Sequence, residues 1–88
     1  MNNWFIYIVK CNDNSLYCGI TINISKRLYA HNNLKSGAKY TSSRRPIVLI
    51  YQEGPYDKKT ALIKEFEIKK MSRNKKLSLI NKEGVKCP

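Results

Sequence analysis

The sequence predicts one small α/β domain, in which helices flank a three-stranded, mainly antiparallel sheet. Three observations favour this fold. Short aromatic and β-branched runs alternate with turn residues, longer amphipathic stretches accompany them, and 88 residues leave room for a single domain. A chain of this size has a thin core, so a polar residue on a core-facing stripe requires a specific explanation.

The first two strands are predicted at residues 4–10 and 16–21, with typical turn residues between them. A three-residue loop with Asn14 at positive φ would pair Tyr7 with Gly19. That register places Tyr7 and Tyr17 on one face, whereas a two-residue turn sends them to opposite faces. We favour the first because asparagine tolerates positive φ. Gly19 then either leaves room for a close approach above the sheet or marks a β-bulge.

A helix is predicted over residues 24–33, with Asn23 as its N-cap. At about 100° per residue, Arg27 and His31 share one edge of the apolar stripe, at the border between core and solvent. A histidine at such a border usually completes the core. Beside an arginine, in a segment without acidic residues, a functional role is at least as well supported.

The charge of the chain points to a polyanionic partner. Seventeen lysines and arginines face six acidic residues, for a net charge of +11, and no acidic residue lies between Asn14 and Gln52. Nucleic acid is the simplest partner for such a field, and a solvated basic surface is the plain alternative. The candidate contacts to phosphates and bases in this segment are Lys26, Lys39, Tyr40, Arg44 and Arg45.

The composition also bears on the compartment. The three cysteines are odd in number and lack the paired spacing of a zinc site, which is typical of reduced thiols. No stretch reaches the length of a membrane span, and the first residues do not resemble a secretion signal. We therefore expect a cytoplasmic protein with no membrane partner and no obligate protein partner.

The second half of the chain is predicted to form a strand and two helices. Residues 47–51 are uniformly apolar and suggest a strand buried on both faces, central in the sheet and ended by Gly54-Pro55. Helices follow at residues 58–71 and 73–82.

One glutamate in the first of these helices stands out. The stripe of Ala61, Leu62, Phe66 and Ile68 spans an arc of about 160° by the helical period, and Glu65 falls in its middle. A carboxylate on a core-facing stripe is costly unless it is paired or binds a metal. Glu65 therefore needs a reason for its position.

Together these positions resemble the signature of the GIY-YIG nucleases. Within that family the chain is most similar to the small stand-alone bacterial proteins of the UPF0213 (YhbQ-like) group, which share the Gly-Ala-Lys-Tyr-Thr segment found at residues 37–41. Phe5 and Cys18 replace a glycine and an isoleucine of the family pattern, beside the tyrosines rather than at them. The matching segments are Ile6-Tyr7, Tyr17-Cys18-Gly19, Lys26-Arg27-Leu28, His31 and Glu65.

The resemblance implies a metal-dependent endonuclease that hydrolyses phosphodiester bonds in DNA, in processes such as DNA repair. Glu65 would bind Mg²⁺ or Mn²⁺, and Arg27 would supply positive charge in the transition state. One of Tyr7, Tyr17 and His31 must orient or deprotonate the attacking water. The family analogy favours Tyr7 as the base, supported by the other two.

Several alternatives stay open from the sequence. Asn74 and Asn81 are both candidates for an active-site asparagine that the family often has. Branched, damaged and single-stranded DNA are all conceivable substrates, and DNA is favoured over RNA. The main rival is a module that binds DNA or RNA without cleaving it, and a protein-interaction adaptor is a third interpretation.

Overall fold

A computed structural model of the chain describes residues 3–33 and 44–82. It confirms the α/β fold, with a three-stranded antiparallel sheet in the order β2-β1-β3. No helix in these two ranges is both long and apolar enough to span a membrane. The elements are β1 (Trp4–Lys10), β2 (Leu16–Thr21), α1 (Ile24–Asn33), β3 (Val48–Tyr56), α2 (Lys58–Lys69) and α3 (Arg73–Lys82).

The hairpin of β1 and β2 has the predicted register. Tyr7 pairs with Gly19, and Asn14 adopts a φ of 68° at the end of the three-residue loop. Because side chains alternate between the two faces of a strand, this register puts Tyr7 and Tyr17 on the same face. The pairing is regular across Gly19, so this glycine does not mark a bulge.

The sheet separates two groups of buried residues. On the α1 side the buried group is Tyr7, Val9, Cys11 and Ile47, against which Ile24 and Leu28 of α1 pack. On the other side, residues of α2 and α3 pack on the sheet. This buried group consists of Ile6, Ile8, Cys18, Ile50 and Tyr51 from the strands, Ala61 and Ile68 from α2, and Ile80 from α3. Neighbouring residues along β1 therefore pack against helices on opposite sides of the sheet. Tyr7, which belongs to the candidate site, lies on the α1 side.

The central position predicted for β3 is wrong. β1 is the central strand, and within residues 3–33 and 44–82 the only strand that pairs with β3 is β1. The apolar run of β3 packs on both faces of the sheet, with Leu49 against the buried group on the α1 side and Ile50 and Tyr51 in the group on the α2 side. Helices on both faces therefore bury this edge strand as they would a central one. β3 also continues past Gly54-Pro55, with a register shift near this point. An edge strand tolerates proline because one row of its backbone groups is not needed for pairing.

The core stripe of α2 is narrower than predicted. Ala61 and Ile68 are buried, but Leu62 and Phe66 are exposed, and the helix ends at Lys69 rather than near residue 71. The predicted arc of about 160° assumed that every one of these apolar side chains faces the core. In a thin domain, α2 rests on the sheet through one narrow stripe, and Glu65 still lies beside it.

Candidate active site

Three of the predicted site residues form one hydrogen-bonded group on the α1 side of the sheet. The hydroxyl of Tyr7 lies 2.8 Å from Nε2 of His31, and Nε of Arg27 donates to the same hydroxyl at 3.4 Å. Tyr7 comes from the central strand, while Arg27 and His31 are one turn apart on α1. The prediction that these side chains share one face of α1 is confirmed.

His31 lies deeper than its predicted border position, because its side chain is fully buried. The rings of Tyr7 and Tyr17 both meet it edge to face, at centroid distances of 5.7 and 5.4 Å. Burial, with the nearby charges of Arg27 and Arg45, lowers the pKa of His31 from 6.5 to about 4. His31 is therefore neutral at pH 7, and in the tautomer with its hydrogen on Nδ1 its Nε2 accepts a hydrogen bond from the hydroxyl of Tyr7.

The single histidine of the chain makes this pKa directly measurable. An NMR titration of its imidazole is expected to give a midpoint near pH 4, and Arg45→Gln should raise that midpoint by removing a nearby charge. Since folding lowers the pKa, the contribution of His31 to stability is complete above about pH 6.5 and is lost as the pH falls toward 4. A midpoint near 6.5 in the folded wild type would contradict this description of the site.

Tyr7 is also buried, and its hydroxyl is held from two sides. Burial raises the pKa of Tyr7, and the hydrogen bond from Arg27 lowers it by a smaller amount. Tyr7 is therefore a neutral phenol at neutral pH. The space that Tyr7 shares with Arg27, His31 and Leu28 is too tightly packed to admit a water molecule.

Gly19 is what allows Tyr7 to occupy this position. A Cβ at residue 19 would lie 2.6 Å from the hydroxyl oxygen of Tyr7 and 2.8 Å from its Cζ. The close approach that a strand glycine indicates is thus made by the ring of Tyr7. Gly19 thereby supports the site through packing.

Gly19→Ala is expected to cost about 1–3 kcal/mol of unfolding free energy, because the ring of Tyr7 would have to move. Urea denaturation of Gly19→Ala in the wild-type background and in a Tyr7→Ala background measures this coupling. The cost should be much smaller once the ring is absent. Equal costs in the two backgrounds would show that the contact with Tyr7 is not the cause.

Arg27 connects the packed group to an open groove. It lines the space around Tyr7 and His31, and it also lines a groove of about 560 Å³ at the start of α1. Lys26, a predicted nucleic-acid contact, is exposed and lines the same groove. The side chain of Asn23 caps α1, accepting from the backbone N–H of Lys26 at 3.0 Å. The groove is the open surface through which a ligand can reach Arg27.

Two predicted nucleic-acid contacts hold the fold together at this site. Arg45 donates from Nε to the backbone oxygen of His31 at 2.7 Å. Arg44 pairs with Asp13 of the hairpin loop at 3.1 Å. Both arginines are partly exposed, and the positive charge of Arg45 acts on His31 as described above. Arg45 therefore influences the pKa of His31, and its partly exposed side chain can also contact a ligand.

Asn32 has a positioning role that the sequence reasoning missed. Its side chain accepts from the backbone N–H of Ile47 at 2.7 Å and donates to the oxygen of the same residue at 3.0 Å. This pair of hydrogen bonds ties the end of α1 to the start of β3, directly beside His31. An asparagine near a helix end has many local uses, so nothing in the sequence identifies this contact.

Glu65 lies on α2, near edge strand β2. Its side chain is only 18% exposed and forms an ion pair with Lys69 at 3.3 Å. Burial, with the nearby charge of Glu65, raises the pKa of Cys18 to about 12. Cys18 lies between Tyr17 and Gly19 on edge strand β2, so Glu65 is near the segment of β2 that carries these two predicted site residues.

The side chains in this region could hold a metal ion only in an open site, in which water and substrate complete the coordination. Among residues 3–33 and 44–82, no three histidine, cysteine, aspartate or glutamate side chains are close enough to hold an ion. Mg²⁺ commonly uses one or two carboxylates and completes its shell with water and substrate phosphates. The mostly buried side chain of Glu65 could supply the single carboxylate of such a site. A site closed by protein ligands alone is not present in this part of the chain.

Some predicted residues lie elsewhere. Lys39 and Tyr40 lie outside the described residues. Asn74 and Asn81 are both exposed on α3, which packs on the side of the sheet opposite to the Tyr7 group. The structure therefore joins neither asparagine to that group.

Comparison with known proteins agrees with this geometry. The sequence model of the family called the GIY-YIG catalytic domain matches residues 3–78. This range includes Tyr7, Arg27, His31 and Glu65. The chain belongs to the GIY-YIG nuclease family. It is 54% identical over 81 residues to a UPF0213 protein of Staphylococcus saprophyticus, a match that covers 92% of this chain and 98% of that one.

Other UPF0213 proteins are similar over most of this GIY-YIG domain. One from Desulfotalea psychrophila is 47% identical over 77 residues, covering 88% of this chain and 70% of its own length. The solution NMR structure of a UPF0213 protein from Bacillus halodurans superimposes with a TM-score of 0.60 at 36% identity. That match covers 92% of this chain and 85% of that one. The predicted UPF0213 resemblance is confirmed.

Proposed function

We propose that this chain is a divalent-metal-dependent endonuclease that hydrolyses phosphodiester bonds in DNA. The observation that carries the proposal is the contact of Arg27 with the hydroxyl of Tyr7, at the boundary between a packed polar group and an open basic groove. A guanidinium at that boundary can bind a phosphate from the groove while it still donates to Tyr7.

Arg27 has the clearest role in this mechanism. Its forked donors stabilise the negative charge that develops on the phosphate oxygens in the transition state. Tyr7 orients the attacking water through its hydroxyl. The ring of Tyr17 packs against the ring of His31, and Gly19 leaves room for the ring of Tyr7. A divalent ion at Glu65, when bound, would polarise the phosphate and stabilise the leaving oxygen.

The proton of the attacking water has a path through Tyr7. As the water gives a proton to the oxygen of Tyr7, Tyr7 gives its own proton to Nε2 of His31, and the resulting hydroxide attacks phosphorus. The charge of Arg27 is one cause of the low pKa of His31. A phosphate bound to Arg27 offsets that charge and makes His31 a better proton acceptor. Substrate binding thus favours the transfer.

The second candidate function is nucleic-acid binding without cleavage. The ion pair of Glu65 with Lys69 favours this alternative, because it satisfies the carboxylate without a metal. The basic groove at Arg27 would serve binding equally well. Both functions predict salt-sensitive association with DNA, and they differ in their dependence on metal.

The test is cleavage of end-labelled single-stranded, duplex and branched DNA by the purified chain, with Mg²⁺, Mn²⁺ or EDTA. The proposal predicts cutting of at least one substrate with metal and none with EDTA. Binding of DNA without cutting under any of these metals would favour the second function.

A further inference from the structure

The groove beside Arg27 carries features that phosphate binding does not explain. Two large side chains in it are mostly exposed: Ile22 at 55% and Tyr29 at 59%. An isolated exposed apolar side chain is ordinary. Here two of them line one concavity with Lys26 and Arg27.

The groove has the size and shape of a binding site. Its volume of about 560 Å³ lies within the ~300–1,000 Å³ typical of small-ligand pockets. Its geometry is fixed at one end by the cap of α1, where Thr21 accepts from the backbone N–H of Asn23 at 3.2 Å. Lys26 and Tyr29 are three residues apart on α1 and therefore project from the same side of the helix. A cation and an aromatic ring are thus presented together.

The charge of the groove indicates what kind of apolar group it would bind. The first turn of α1 contains no acidic residue, and Lys26 and Arg27 are both cationic. A ligand that combines a flat apolar face with a phosphate satisfies both parts of this surface. An unpaired nucleobase has that combination, because its face stacks on aromatic side chains while the adjoining phosphate meets the cations.

We propose that Ile22 and Tyr29 form a stacking subsite for one unpaired DNA base next to the scissile phosphate at Arg27. This inference rests on the proposed nuclease function and makes it more specific. A base in a regular duplex is stacked and paired on both sides, so it cannot enter the groove without leaving the helix. The subsite would therefore direct the enzyme to unpaired nucleotides.

The test measures binding separately from cleavage, by fluorescence anisotropy in EDTA. The probes are labelled oligothymidylate and a strand of the same length made of abasic sites, which keeps the phosphates and removes the bases. Wild type should bind oligothymidylate about 5- to 150-fold more tightly than the abasic strand, which corresponds to ~1–3 kcal/mol for stacking one base.

Variants identify the residues responsible. Tyr29→Ala should lose most of the preference for the base-bearing strand, and Tyr29→Phe should keep it because the ring remains. Phe66→Ala is the matched control, since Phe66 is an equally exposed ring (64%) on the other side of the sheet. The salt dependence should not change in Tyr29→Ala but should weaken in Lys26→Ala, which removes a phosphate contact.

Two results would overturn the subsite. One is a wild-type protein with equal affinity for both strands; the other is a Tyr29→Ala variant that keeps the full preference. Cleavage assayed in parallel with Mg²⁺ separates the two proposals. If Tyr29→Ala cleaves like wild type and wild type binds both strands equally, the subsite is ruled out and the nuclease function is retained. A base-dependent affinity without any cutting leaves the subsite and removes the nuclease.

Discussion

Arg27→Ala is expected to reduce DNA cleavage by ~10²–10³-fold while the protein stays folded. Arg27 is partly exposed, so its loss opens no large cavity, but it removes the positive charge between the groove and Tyr7. Single-turnover cleavage rates with saturating protein measure the effect on chemistry rather than on binding. Arg27→Lys should recover only part of the rate, because lysine keeps the charge and loses the fork of donors.

The control is Lys75→Ala, which also removes one positive charge, from an exposed position on α3. This variant should cleave at close to the wild-type rate after its weaker DNA binding is taken into account. If Arg27→Ala and Lys75→Ala lose the same small amount of activity, Arg27 acts only through net charge. The proposed transition-state role would then be wrong.

Tyr7→Phe should reduce cleavage by ~10²–10⁴-fold, the usual range for a group that handles the proton of a nucleophile. The substitution keeps the ring over Gly19 but removes the hydroxyl that contacts both His31 and Arg27. Loss of a buried hydrogen-bond partner should also cost about 1–3 kcal/mol of unfolding free energy. Cleavage rate and urea denaturation together separate the two effects.

Tyr51→Phe provides the control for stability. Tyr51 is as buried as Tyr7, its hydroxyl donates to Glu53 at 2.8 Å, and it lies on the opposite face of the sheet. Both substitutions remove a phenolic hydrogen bond, so their effects on stability should be similar. Only Tyr7→Phe should lose cleavage. A comparable loss of activity in Tyr51→Phe would mean that stability, rather than chemistry, explains the result for Tyr7.

The sequence predicted the hairpin and α1 well because local rules determine them. The positive φ of Asn14 sets the register, and the register decides which side of the sheet Tyr7 occupies. The helical period then places Arg27 and His31 together. The depth of His31 could not be predicted, because it depends on the rings of Tyr7 and Tyr17 from a different element.

The errors concern tertiary arrangement. An apolar run reports burial on both faces, and the same pattern in β3 fits a central or an edge strand. The helical period correctly placed Glu65 near the core stripe of α2, where its side chain is mostly buried. The period does not say which face of the sheet α2 covers. That information comes only from the packing of Ala61 and Ile68 against the residues beneath them.

Glu65 is the residue on which the proposed metal dependence rests. The direct test compares cleavage and binding of labelled DNA by wild type, Glu65→Gln and Glu67→Gln over a range of Mg²⁺ concentrations. Glu67 is the control because it makes the same charge change at an exposed position on α2.

We expect wild type and Glu67→Gln to cleave in Mg²⁺ and not in EDTA. Glu65→Gln should bind DNA normally and lose cleavage by on the order of 10²-fold or more. If Glu65→Gln cleaves like wild type, or if wild type binds DNA and cuts nothing at any Mg²⁺ concentration, the metal-dependent mechanism proposed for this chain is wrong.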